Sequence, residues 1–125
     1  MAFGKASTKQ RGQAGERLAL GFLKKKGFRI LKKNYRNTFG EIDIVAEEKG
    51  QLVFVEVRTL KSWQRHLPEE TVGPKKQQKI SRTAMAYIQE KGWEDRPARF
   101  DVIAVKASDQ EPAIHHIPNA FDVWE

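Results

Sequence analysis

Apolar residues recur along this chain with two periods, and the switches between them divide it into elements. Between Gln13 and Lys26, Leu18 with Phe22 and Ala19 with Leu23 fall on one stripe at helical spacing. Lys24, Lys25 and Lys26 suit the negative end of that helix, and Gly27 supplies its stop. Phe28 to Arg36 then reads as a basic strand. Glu41 to Ala46 and Leu52 to Thr59 read as a hairpin turning at Lys49-Gly50. Leu60 to Gly73 has no clear period and reads as a loop. Pro74 fits the first position of a second helix, with Ile80, Ala84, Tyr87 and Ile88 as its stripe and Gly92 as its end. Arg99 to Lys106 reads as a strand, and Ala113 to Ile117 as an edge strand stopped by Pro118.

The hairpin carries charges where its pattern is most apolar. Side chains alternate across a strand, so the loop length decides which residues share a face. An even loop of two or four residues sets Ile42, Ile44 and Ala46 beside Val53, Val55 and Val57. The opposite face then holds Glu41, Asp43, Val45, Leu52, Phe54, Glu56 and Arg58. An odd loop would place Asp43 among the valines, so the hydrophobic pattern selects an even one. Asp43 and Glu56 then lie opposite or diagonal, with β-carbons about 5–8 Å apart. Two like charges so placed call for a cation between them. Arg58 can supply it as an ion pair to either acid, or a divalent metal can. A buried ion pair adds little stability, whereas Mg²⁺ takes oxygen ligands and often only one or two carboxylates. The carbonyl of Val57 offers a third oxygen.

Composition narrows the classes. The chain has 125 residues, enough for one domain, expected over 13–125 behind a flexible basic tail at 1–12. It has no cysteine, which excludes disulfides, thiolate zinc sites and a cysteine nucleophile. No apolar run approaches a membrane span, and the N-terminus lacks a signal peptide's apolar centre, so a cytoplasmic protein without a membrane partner is expected. The formal net charge is +7. Arg17, Lys24, Lys25, Lys26, Arg29, Lys32, Lys33 and Arg36 succeed one another with no acid between Arg17 and Gly40. That run is either a solvated face or a phosphate-binding patch.

Asp43 followed thirteen residues later by Glu56-Val57-Arg58 resembles the D…(E)xK signature of the PD-(D/E)xK nuclease superfamily. GQAGERLALGFLKKKGF, NYRNTFGEIDIVA, LVFVEVRTL, VGPKKQQKI and RFDVI, over roughly Gly12 to Lys106, resemble the bacterial YraN family, itself similar to archaeal Holliday-junction resolvases. The resemblance implies an α/β, restriction-endonuclease-like core, a mixed four- to five-stranded sheet flanked by helices in the order αβββαβ. It further implies a Mg²⁺- or Mn²⁺-dependent phosphodiesterase acting on branched or partly single-stranded DNA. Asp43 and Glu56 would be the metal ligands, with Val57, and Arg58 would stand where the superfamily has lysine. This is a departure, because arginine stays protonated and cannot be a general base. Resolvase-like proteins often dimerise, so a homodimer is a further expectation.

Other residues join the site by position. Glu16, at the edge of the first stripe, is a helix-start glutamate or a third acid. Lys76 lies four residues before Ile80, on the inward side of the second helix, with Gln77 beside it. It either snorkels to solvent or supplies the amine missing at Arg58. Asp101 is either a strand acid capped by Arg99 or, with Glu41 and Gln77, a secondary site residue. Nucleic-acid contacts are expected from Lys24, Lys25, Lys32, Lys33, Arg36, Trp63 and Arg65, where Trp63 either stacks on a base or covers the core. His66, His115 and His116 form no ligand pattern. Two rivals to the nuclease reading stay open: a non-catalytic nucleic-acid-binding module with the same fold, and a basic protein-interaction module.

Overall fold

A computed structural model describes residues 8–60, 72–106 and 113–122, with side chains from Gly12 onward. The chain runs α1 (Thr8–Lys25), β1 (Arg29–Asn37), β2 (Gly40–Glu48), β3 (Gln51–Leu60), α2 (Pro74–Lys91), β4 (Ala98–Lys106) and β5 (Ala113–Phe121). The five strands form one sheet in sequential order. β1, β2 and β3 are antiparallel neighbours, β3 and β4 are parallel, and β5 returns antiparallel to β4. The α/β class and the αβββαβ order are therefore as expected, with β5 as the fifth strand. α1 begins at Thr8, inside the stretch expected to be tail.

Each helix covers one face. Ala19 and Leu23 of α1, with Phe28, pack on Ile44, Ala46, Val53, Val55, Ile103 and Val105. Ile80, Ala84, Tyr87 and Ile88 of α2 pack on Val45, Leu52, Phe54, Phe100 and Val102. β3 is thus buried on both sides, as its continuous apolar run from Leu52 to Val55 requires. Gly27 has φ 94°, and the Phe28 N–H donates to the Leu23 carbonyl at 3.0 Å, which closes α1. Pro74 opens α2, and Gly92 caps it with φ 69°.

Two expectations need correction. Ile42 does not share the α1 face with Ile44; it packs in the α2-side cluster beside Tyr35, its partner across the β1–β2 ladder. β2 thus breaks its alternation at Asp43. β5 does not stop at Pro118 but continues to Phe121. On an edge strand the missing proline N–H costs no ladder bond. The strand bulges there, because the pairing jumps from Val102↔Ile117 to Phe100↔Phe121.

Candidate metal-binding site

The loop at Lys49-Gly50 has two residues, and the register Ile44↔Val55, Val45↔Phe54, Ala46↔Val53 matches the even alternation. The β2–β3 ladder ends at Ile44↔Val55, while β1–β2 runs on to Asn37↔Gly40 and β3–β4 to Leu60↔Lys106. β2 and β3 therefore part at the next pair, Asp43 and Glu56. The Val57 N–H, which has lost its strand partner there, donates to Asp43 Oδ2 at 2.8 Å. The carboxylate fills the gap left by a carbonyl, which satisfies a group that would otherwise be costly to bury.

Glu56 is 6% exposed and faces α2. Lys76 Nζ stands 2.9 Å from Glu56 Oε1, and Arg58 Nη1 stands 3.9 Å from the same oxygen. Lys76 thus reaches inward to the acid rather than away from it, and it is the closer of the two cations. Among the described residues no cation pairs with Asp43 at that distance. Burial, then the Glu56 charge, push its carboxyl up to about 7, against the opposing pull of the Val57 N–H and Lys76. Glu16 joins from α1: burial, then the charges of Asp43 and Glu41, raise its pKa, and a hydrogen bond to Asn34 works the other way. Gly15 makes this approach feasible, because a Cβ there would collide with Thr59 Oγ1 on β3.

The residues brought to this end of the sheet are Glu16, Glu41, Asp43, Glu56, Val57, Arg58 and Lys76. Glu41 is held by Arg36 at 3.2 Å. Gln77, one position along α2, donates instead to the Val72 carbonyl at 2.8 Å. Lys24 and Lys25 lie in the last turn of α1, about 12 Å along the helix from Glu16. Lys32, Lys33 and Arg36 are exposed on β1, an edge of the sheet. Trp63 and Arg65 lie outside the described residues. Asn34 was not foreseen; it has φ 49° and sits where the β1–β2 register skips its pairing with Asp43. An asparagine inside a lysine-rich strand is the signal that could have found it, since asparagine tolerates that backbone region.

Asp101 belongs to a different assembly. It is fully buried in β4 and accepts Arg99 Nε at 2.9 Å and Arg99 Nη2 at 3.2 Å. His116 Nε2 lies 2.7 Å away, and the bulge N–H of Asn119 donates at 2.9 Å. Burial raises its pKa, but the hydrogen bonds from His116, Arg99 and Asn119 and the Arg99 charge outweigh that and lower it. The capping by Arg99 is as expected; its role of pinning the β5 bulge was not foreseen.

The donor set at Asp43 and Glu56 suits a hard divalent cation. Both are carboxylates, and a carboxyl raised to about 7 marks a place short of positive charge. Among the described residues no three His, Cys, Asp or Glu side chains enclose a metal position. Asp43 and Glu56 correspond to the one or two carboxylates that Mg²⁺ commonly takes alongside water.

The fold and this acidic pair define an α/β domain with a mixed sheet and a candidate cation site where two central strands separate. Residues 15–105 match the family described as uncharacterised protein family UPF0102, and the chain belongs to that family, the YraN family of the resemblance above. It is 47% identical over 114 residues to a UPF0102 protein of Trichlorobacter lovleyi, covering 90% of each chain. It is 45% identical over 121 residues to one of Geotalea daltonii, covering 96% of this chain and 95% of the relative. Among solved structures it is similar to SfsA of Pyrococcus furiosus, determined in complex with Ca²⁺, at 13% identity and a TM-score of 0.42. That match covers 90% of this chain and 64% of SfsA, and at that distance it says nothing about what this chain binds. Among the described residues no helix is long and apolar enough to cross a membrane.

Proposed function

We propose that this protein is a metal-dependent phosphodiesterase that cuts branched or partly single-stranded DNA. One observation carries the reading: Asp43 and Glu56 lie side by side where β2 and β3 part, with Lys76 on Glu56 at 2.9 Å. Mg²⁺ or Mn²⁺ held by these carboxylates, with the Val57 carbonyl, would supply an activated water and neutralise charge on the phosphate. The Lys76 amine and the Arg58 guanidinium supply positive charge where charge builds on the phosphorus oxygens. Arg58 acts only as a cation; Lys76 is the amine available in place of the superfamily's lysine. Glu16 shares the acidic field and orders the solvent around Asp43. Exposed Lys24, Lys25, Lys32, Lys33 and Arg36 offer contacts to the phosphate backbone.

The test is cleavage of branched and single-stranded DNA in Mn²⁺ by the wild type, Asp43→Ala and Glu56→Ala. Loss of cleavage by about a hundredfold or more in both variants is expected; cleavage that persists in both would falsify the assignment. Mn²⁺ should also raise the Tm of the wild type and not that of Asp43→Ala.

Arg58 at the lysine position favours a second reading, a nucleic-acid-binding module of the same fold without catalysis. Salt-sensitive DNA binding with no metal-dependent rise in Tm and no cleavage would select it. Absence of any salt-sensitive DNA binding would leave the basic face to an acidic protein partner.

A further inference from the structure

The turn joining β1 to β2 is built in an unusual way. Asn37 pairs with Gly40, so Thr38 and Phe39 form a two-residue loop. Such loops normally place Gly, Asn or Asp at their centre. Here the residue just before the loop holds it. Asn37 Oδ1 accepts the Phe39 N–H at 2.9 Å, and Asn37 Nδ2 donates to the Thr83 carbonyl of α2 and to the Tyr35 hydroxyl, each at 3.2 Å. Gly40 lies so near α2 that a Cβ on it would stand 3.0 Å from Thr83 Oγ1. The turn is pinned to the second helix, and it holds out the ring of Phe39, which is 50% exposed.

A single exposed phenylalanine is ordinary on a protein surface. This one is distinguished by its anchoring and by what lies beside it. Gly40, the next residue, lines a cleft of about 460 Å³ with Glu41, Lys75, Lys76, Lys79 and Ile80. Arg36 neutralises Glu41, and Lys76 is engaged with Glu56. Lys75 and Lys79 have no acidic partner among the described residues, so the cleft keeps a net positive charge. An exposed aromatic ring on an anchored turn, next to unneutralised lysines, matches the chemistry of a nucleobase attached to phosphates.

We propose that Phe39 is a stacking platform for an unpaired base of a DNA strand whose phosphates lie along Lys75 and Lys79. The inference rests on the nucleic-acid reading above and adds the feature by which the site would prefer unpaired to paired DNA. Every base presents a π-face to an aromatic ring, while in a duplex those faces are already stacked on one another. Four residues of β2, about 13 Å, separate Phe39 from Asp43, so a strand held at the turn is delivered toward the acidic pair.

The experiment measures binding by the full chain in EDTA, which suppresses cleavage, to a single strand carrying a fluorescent adenine analogue and to its complete duplex. Phe39→Ala should weaken single-strand binding about tenfold and abolish the stacking-dependent quenching, while duplex affinity stays within about twofold. Phe39→Tyr should keep both, which separates the ring from any effect on the turn. The double variant Lys75→Ala with Lys79→Ala should weaken both DNAs and flatten the salt dependence. If Phe39→Ala binds the single strand as tightly as the wild type with the same quenching, the stacking role is wrong and the nucleic-acid reading survives. If the wild type binds neither DNA in a salt-sensitive way, both are wrong.

Discussion

Two aspartates stand on central strands of one sheet, Asp101 fully buried and Asp43 partly buried, and have opposite characters. Asp101 is saturated: a bidentate arginine, a histidine and a backbone N–H occupy its oxygens, and its pKa is lowered. Asp43 accepts the Val57 N–H, sits beside Glu56 with Lys76 taken by that neighbour, and its carboxyl is raised to about 7. The first arrangement is complete within the fold. The second is short of positive charge, which a ligand can provide. The two differ in pairing: Asp101 is completed within its own strands, whereas Asp43 stands at a break in the hydrogen-bond ladder beside a second acid, the kind of place where a candidate site is sought.

Removing each carboxylate should separate them most sharply. Asp101→Ala removes the anchor of the β5 bulge and leaves Arg99 with Glu48 and Gln51 as partners, and should cost about 3–5 kcal/mol at neutral pH. Because its pKa is depressed in the fold, the stability it contributes is present above the ordinary aspartate range and is lost as pH falls through its folded value. Chemical denaturation of wild type and variant should accordingly converge in acid.

Asp43→Asn should act in the opposite direction. Its carboxyl titrates near 7 in the fold but near the ordinary aspartate value when unfolded, so between about pH 4 and 7 the folded chain holds the extra proton. Wild-type stability should fall as pH rises through that window. The asparagine variant, which still accepts the Val57 N–H, should be more stable at pH 8, by at most about 4 kcal/mol, with the gain gone below about pH 4. A variant no more stable than wild type at pH 8 would show that Asp43 is neutralised by something else.

Lys76→Ala removes the nearest cation from Glu56. The lysine is partly exposed, so the cost should be about 1 kcal/mol, and NMR titration should find the Asp43 carboxyl raised further. Arg58→Lys should have the least effect. At 3.9 Å from Glu56 and partly exposed, Arg58 should shift stability by less than about 0.5 kcal/mol on substitution. If Arg58→Lys costs as much as Lys76→Ala, Arg58 and not Lys76 is the main counter-charge of Glu56.

The sequence by itself determined the elements, because their signals are local. Helical and strand periods, Gly27, Pro74 and Gly92 lie within a few residues of what they control, and the even Lys49-Gly50 turn fixed the register of β2 on β3. That register also brought Asp43 and Glu56 to adjacent positions just past the last pair, and the helical phase of Lys76 turned it toward Glu56. Tertiary structure decided the rest. Ile42 left its expected face where the β2–β3 ladder ends, and Asn34, with its left-handed backbone, sits at the skipped pairing beside it. Asp101 became a structural anchor because a bulge and a histidine from β5, fifteen and more residues away, converge on it. Which of the two carboxylates is satisfied depends on partners supplied by other strands and helices. No local pattern carries that information, and only the folded chain assigns Asp101 to the core and leaves Asp43 beside Glu56 with its carboxyl pushed up to about 7.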